Sequence, residues 1–217
     1  KSNTVDGDVS SIGKCMEYEA VKGKIVYRLI NRKRNSEMLK DVPHREILDL
    51  VLVYRIIVAI DTDRKGTILI NNEIVAKWGI TEEKLYEFAQ ENTMRLFKAD
   101  MMKMQNLLNE LMPGNESEVD EDAPQLWILT DNERHYGATV MVYPEMMEQI
   151  SEKLGYDFYI IPSSVHELIL VKKDAVISTE ALKEMICEVN ENEVDATEIL
   201  SDHPYYYDRE KGKLEAA

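Results

Sequence analysis

The run from Leu50 to Ile60 reads Leu-Val-Leu-Val-Tyr-Arg-Ile-Ile-Val-Ala-Ile, with Arg55 as its one charge. A strand with one wet face alternates apolar and polar residues, whereas an unbroken β-branched run calls for burial along its length. It also falls well short of the roughly 20 apolar residues that cross a bilayer as a helix. A chain with this segment has to surround a long buried strand. Asp61 to Gly66 follows as turn chemistry, and Thr67 to Ile70 returns as the second arm of a hairpin.

Ile25 to Ile30 reads as another strand, followed by Arg32, Lys33 and Arg34, the one basic cluster of the chain. Asn71 caps a short helix that Gly79 stops after Trp78, and Thr81 caps a longer one. Glu82 and Glu83 then fall in its first turn, against the positive end of the helix dipole. Leu85, Phe88, Ala89 and Leu96 recur on one side at helical spacing. Met101, Met104, Leu107, Leu108 and Leu111 predict a further helix over 100–112.

In the second half, Leu126–Thr130 and Ala138–Val142 read as strands joined by a polar turn over 131–137. Pro144, at a first helical position, opens a helix carrying Met146, Met147, Ile150 and Leu154, which Gly155 ends. Phe158–Ile161 and Leu168–Val171 are two more strands. Ser178 caps a helix in which Leu182, Met185, Ile186 and Val189 repeat at helical spacing. The expectation is an α+β protein, an N-terminal strand and hairpin with helices followed by a C-terminal ββαββα half. Residues 1–16 read as a flexible lead-in, 17–112 as the first subdomain, 113–124 as an acidic linker and 125–217 as the second subdomain. A start at Lys1 reads as a trimmed end, and Leu214 to Ala217 as vector-derived residues.

Charge is divided unevenly. Residues 1–112 carry 18 Lys and Arg against 17 Asp and Glu, and residues 113–217 carry 8 against 24. The second half alone accounts for the net charge of −15. Such a surface repels nucleic acid and anionic membrane and attracts basic partners over a screening length of about 8–10 Å. Direct nucleic-acid binding and membrane association are therefore not expected, and Arg28 with Arg32–Arg34 lacks the interleaved aromatics of a nucleic-acid site. Cys15 and Cys187 have no zinc-ligand spacing and read as free thiols in a reducing cytoplasm. The sequence holds no phosphate-binding glycine loop, no dinucleotide fingerprint, no HExxH and no EF-hand spacing, so no cofactor or metal is expected.

Four places could carry chemistry. Ser163, Ser164, His166 and Glu167 set hydroxyl, imidazole and carboxylate groups at a strand entrance. The Gly-flanked nucleophile turn is absent, however, and Leu170 stands where a zincin helix would place its second His. The plainer reading is a turn whose serines bond backbone, with His166 packed or capping beside it. Arg134 and His135 lie in the turn over 131–137, either a solvated loop or a recognition loop on a rigid support. His44 and Arg45 open an element or anchor a polar network. Tyr205, Tyr206 and Tyr207 cannot all face one side of a strand, so core packing competes with an interface role.

The segments Val42–Leu50, Trp78–Glu83, Tyr159–Glu167 and Leu200–Asp202, followed by Tyr205–Arg209, resemble an uncharacterised bacterial family known as domain of unknown function number 5688. The resemblance covers about residues 20–210. Members are typical of anaerobic Gram-positive gut bacteria and usually have further sequence before the point where this chain begins. The resemblance implies a bacterial, soluble, cytoplasmic protein and supplies no activity, cofactor or catalytic residue.

Two functional expectations remain, with oligomeric state open. The first is a non-enzymatic protein-binding module whose acidic half engages a basic protein. Its sharper form is a nucleic-acid mimic or inhibitor from a mobile element, with Glu188, Glu191, Glu193 and Asp195 among the acids that would matter. The alternative is a hydrolase or transferase centred on Ser163, Ser164, His166 and Glu167.

Overall fold

The computed structural model describes residues 17–59, 65–111, 124–175 and 178–217. The expected lead-in, the hairpin tip, Cys15 and nearly all of the acidic linker lie outside these residues. The chain divides into two compact units, residues 1–96 and 97–217.

The first unit is built on the buried run, which forms β3 (Leu50–Ala59). It pairs antiparallel with β1 (Ile25–Asn31) along one side, and with β2 (His44–Ile47) and β4 (Lys65–Leu69) along the other. Leu50, Leu52, Tyr54 and Ile56 lie on one face and are fully buried, while Val51 and Val53 on the opposite face pack with Leu39 and Val42. Burial of both faces is why the run shows no alternation. Arg55 is accommodated by donating from Nε to Thr67 Oγ1 at 2.7 Å across the β3–β4 pair.

Among the described residues three α-helices complete this unit: α1 (Tyr18–Val21), α2 (Asn72–Trp78) and α3 (Glu82–Leu96). The expected caps are present. Asn71 Oδ1 accepts the Ile74 N–H at 2.9 Å, Gly79 ends α2 at φ 66°, and Thr81 Oγ1 accepts the Lys84 N–H at 3.3 Å. Besides Leu85 and Ala89, α3 buries Asn92 and Thr93, which an apolar period does not count. Thr93 Oγ1 accepts the Tyr27 N–H at 3.0 Å, and Asn92 Nδ2 donates to the carbonyls of Ile25 and Lys22 at 2.9 and 2.7 Å. These bonds satisfy outward backbone groups of β1, so α3 closes a sheet edge that would otherwise invite pairing.

The second unit holds a six-stranded antiparallel sheet in the order β10-β9-β7-β8-β6-β5. Its strands are β5 (Ala99–Lys103), β6 (Leu126–Asp131), β7 (Phe158–Pro162), β8 (Leu168–Lys172), β9 (Tyr205–Asp208) and β10 (Lys213–Ala216). Its helices are α4 (Met104–Leu111), α5 (Met146–Leu154) and α6 (Thr179–Asn192). Leu129, Phe158, Ile160, Leu168, Leu170 and Tyr205 are fully buried.

The ββαββα expectation needs four corrections. The helix foreseen over 100–112 begins only at Met104, because Ala99–Lys103 pairs with Trp127–Asp131 as an edge strand. That pairing places residues 97–111 in the second unit, so the division falls at 96/97. Residues Gly137–Val142 form a 3-10 helix and not a return strand; short buried apolar runs do not distinguish the two. Pro144 precedes the helix without opening it: Tyr143 is extended, as residues before proline tend to be, and α5 starts at Met146. Lastly, the order continues past the final helix, where β9 and β10 pair antiparallel with Leu214 to Ala216 opposite Tyr205–Tyr207.

Candidate functional site

At the end of β6 the Asp131 side chain is buried, and its Oδ1 accepts the N–H groups of Glu133 at 2.9 Å and His135 at 3.3 Å. Burial holds this carboxyl above the usual aspartate range, against the pull of those backbone donors. The turn it organises is strained. Arg134 and Tyr136 both adopt left-handed backbone, at φ 52° and 63°, which costs a non-glycine residue roughly 1–2 kcal/mol. Gly137 follows because nothing larger fits: a Cβ there would lie 2.1 Å from Thr130 Oγ1, 2.5 Å from Asp131 N and 2.7 Å from His166 O.

The loop over 163–167 is bonded to this turn. Thr130 Oγ1 donates to His166 O at 2.8 Å, and the Ala138 N–H donates to Val165 O at 3.2 Å. The Tyr136 N–H donates to His166 Nδ1 at 3.1 Å, and His166 Nε2 lies 3.2 Å from Glu198 Oε1. The imidazole stacks on His135 with ring centres 5.1 Å apart, and Tyr136 meets it edge-on at 5.3 Å. The segment carrying Glu198 is itself fixed, since Glu198 O accepts the Val165 N–H at 2.8 Å.

Of the residues singled out from sequence, His166, Ser164, His135 and Arg134 thus share one pair of loops. Asp131, Tyr136 and Glu198 join them unforeseen. Glu198 lies 32 positions from His166 and could not have been connected to it without the topology. Ser164 Oγ accepts the His166 N–H at 3.0 Å, and Ser164 N–H donates to Glu167 O at 3.3 Å, the bonding of a turn-forming serine. Both ring nitrogens of His166 are engaged by groups other than a serine hydroxyl, so the hydroxyl–imidazole pair needed to activate a nucleophile is not formed. Among the described residues no group of three or more His, Cys, Asp or Glu side chains is placed to hold a metal, and no helix is long and apolar enough to cross a membrane.

The remaining candidates lie elsewhere. Arg45 donates from Nε and Nη2 to Glu82 at 3.1 and 2.7 Å and lies 3.9 Å from the centre of the Tyr86 ring. Tyr54 also donates to Glu82, and burial with that carboxylate pushes its phenol far up. His44 Nδ1 bonds the Val42 carbonyl at 2.9 Å. Tyr205 and Tyr207 are core side chains, and Tyr207 stacks on Phe158 at 5.5 Å. Tyr206 faces the other way, donating to Asp157 Oδ2 at 2.7 Å and accepting from Lys173 Nζ at 3.1 Å. That phenol, with the Arg209 N–H, lowers the Asp157 carboxyl.

The acidic surplus takes its clearest form on α6. Glu180, Glu184, Glu188 and Glu191 recur at spacings of four, four and three, within an arc of about 80° at 3.6 residues per turn. All four are exposed, and none has a basic partner within ion-pair distance among the described residues. Beside them Met185 and Val189 are 46% and 41% exposed, while Leu182, Ile186 and Asn190 form the buried side. The helix therefore presents an acidic stripe flanked by an apolar ridge. Cys187, on the same helix, is a free, partly buried thiol.

A family model described as a Family of unknown function (DUF5688) matches residues 2–209. Neither the curated proteins nor the solved structures contain a match.

Proposed function

Because the chain belongs to the DUF5688 family, whose description assigns no activity, its role has to be argued from its surfaces, and we propose that it is a non-enzymatic protein-binding module that receives a basic partner on α6. One observation carries the reading: four glutamates aligned without an ion-pair partner among the described residues, next to Met185 and Val189, which are large apolar side chains left half in solvent. Unpaired like charges on a helix face repel one another and add nothing to folding. A partner with lysines or arginines would relieve that repulsion, and an apolar residue of the partner would cover the ridge. Electrostatics would supply orientation and encounter rate, and the ridge would supply the desolvated contact. The basic groove of a nucleic-acid-binding protein is one surface of this chemistry.

The test is retention of proteins from a lysate of the encoding organism on the immobilised chain and on a Glu180→Gln, Glu184→Gln, Glu188→Gln, Glu191→Gln variant, washed at low and high salt. The expected result is a basic protein held by the native chain, released by salt and absent from the variant; competition with duplex DNA then asks whether that partner's nucleic-acid site is the one occupied. Equal retention by both chains would remove α6 from the account.

A further inference from the structure

The two loops at the end of β6 contain a group whose charge state and whose hydrogen bond exclude each other. A backbone N–H can only donate, so the 3.1 Å contact from Tyr136 N to His166 Nδ1 requires that nitrogen to be unprotonated. In the neutral ring the proton then sits on Nε2, which lies 3.2 Å from Glu198 Oε1. Protonating the ring places a second hydrogen on Nδ1, against the Tyr136 N–H. Two donors would face each other at a residue already held at φ 63°.

The other histidines with assigned ring contacts are built the opposite way. His44 Nδ1 lies 2.9 Å from Val42 O and His203 Nδ1 lies 2.9 Å from Pro204 O. A carbonyl only accepts, so in both rings Nδ1 already carries its proton and a second one goes to Nε2 without breaking the bond. Protonation therefore leaves those two contacts intact and breaks the one at His166.

We propose that His166 is an acid-released latch on the turn over 131–137: neutral imidazole holds Tyr136 and imidazolium lets it go. An imidazole ordinarily changes charge in roughly the pH 5–8 range. The groups that meet the ring are the Glu198 carboxylate, the stacked His135 ring, the edge-on Tyr136 ring and the Tyr136 N–H. Thr130 and Ser164 bond the backbone of His166 in both states. Asp131 anchors the turn from beneath through the Glu133 and His135 N–H groups, and Glu133, Arg134 and Glu167 complete the charged side chains of the two loops. Releasing Tyr136 removes one of the contacts on a strained backbone and leaves the Thr139 N–H on Tyr136 O at 3.1 Å and the Asp131 anchors in place, so the turn has reason to relax locally around Tyr136. The inference does not rest on the α6 reading.

The test is NMR on the intact chain from pH 8 to pH 5, following the imidazole nitrogens of His166 and the amide protection factors of residues 133–137, corrected for the slower intrinsic exchange at lower pH. Protection at Tyr136 is expected to fall at least tenfold, with the same midpoint as protonation at His166 Nδ1. His166→Asn, which keeps an acceptor near the Nδ1 position but does not titrate, should hold Tyr136 closed across the range, and Glu198→Gln should move the midpoint to lower pH. Tyr136 remaining protected while Nδ1 is protonated would overturn the proposal, as would an unchanged pH response in a folded His166→Asn chain. If that variant does not fold, coincidence or non-coincidence of the two native titrations decides.

Discussion

Two sets of carboxylates, one in each unit, are placed differently, although the second unit has matched acids as well, such as Asp208 with Lys211 and Glu215 with Lys213. In the first, Glu19, Glu37, Glu46, Glu82 and Glu87 each sit within 2.5–2.7 Å of a Lys or Arg of the same unit. In the second, the four glutamates of α6 have no such partner among the described residues. A charge matched within its own fold is neutralised for structure, whereas a charge left unmatched on a rigid helix is available to something else. The lesson is that net charge per half, which the sequence already displays, becomes informative about binding only when it is known which charges are already paired.

Strain follows the same division. Among the described residues, three of the four non-glycine residues at positive φ, Arg134, Tyr136 and Glu145, belong to the second unit, with Leu48 the one in the first. The largest expected effect tests that strained region. Gly137→Ala forces a Cβ against two backbone atoms and a hydroxyl, so a loss near the upper end of the usual 1–3 kcal/mol for overpacking is expected in denaturant unfolding. A neutral result would mean that the two loops are not packed as described.

Glu82→Ala comes next and tests the matched side of the comparison. It leaves Arg45 and the Tyr54 hydroxyl without their shared acceptor, at a cost of about 1–3 kcal/mol reduced by the partial exposure of the pair. Chemical denaturation of the variant checks it.

Asp131 gives a pH test. Its folded-state value is raised above 3.8, so the folded chain binds this proton more tightly than the unfolded one. The contribution of this group to stability is greatest below the unfolded value and declines as pH rises through the folded one. Asp131→Asn keeps an acceptor for the Glu133 and His135 N–H groups and removes the ionisation. The variant should therefore gain stability relative to the native chain as pH rises from about 3.5 to 6, measured by unfolding at each pH, and a variant that loses stability relative to the native chain over that range would reverse the assignment.

The smallest effect is the sharpest contrast with Glu82. Glu184→Gln with Glu188→Gln should change stability by no more than about 0.5 kcal/mol, because these side chains have no ion-pair partner to lose among the described residues. A larger loss by thermal unfolding would show that the stripe is structural after all.

Much of the fold was legible wherever local chemistry decides. The β3 run, the Asn71 and Ser178 caps and the glycine stop at Gly79 all form as expected, because each depends on neighbours within a few residues. The expectations failed where a distant strand or loop decides. Ala99–Lys103 is a strand because β6 lies beside it, and Gly137–Val142 is a short buried apolar run, which local pattern does not tell from a strand. The site was half legible for the same reason. A histidine in each of two loops could be picked out, while their stacking and the Glu198 contact depend on chain crossings that no spacing encodes. Asn92 and Thr93 were missed because polar residues within a helix read as its solvent side, although here they cap a strand edge.

The most direct test of the central claim is hydrogen–deuterium exchange of the chain with and without a basic protein recovered in the retention experiment. Protection concentrated on 179–192, with the first unit unchanged, is the predicted footprint. Protection confined to the first unit, with 179–192 exchanging as in the free chain, would contradict the claim that the unmatched acids of α6 form the binding surface.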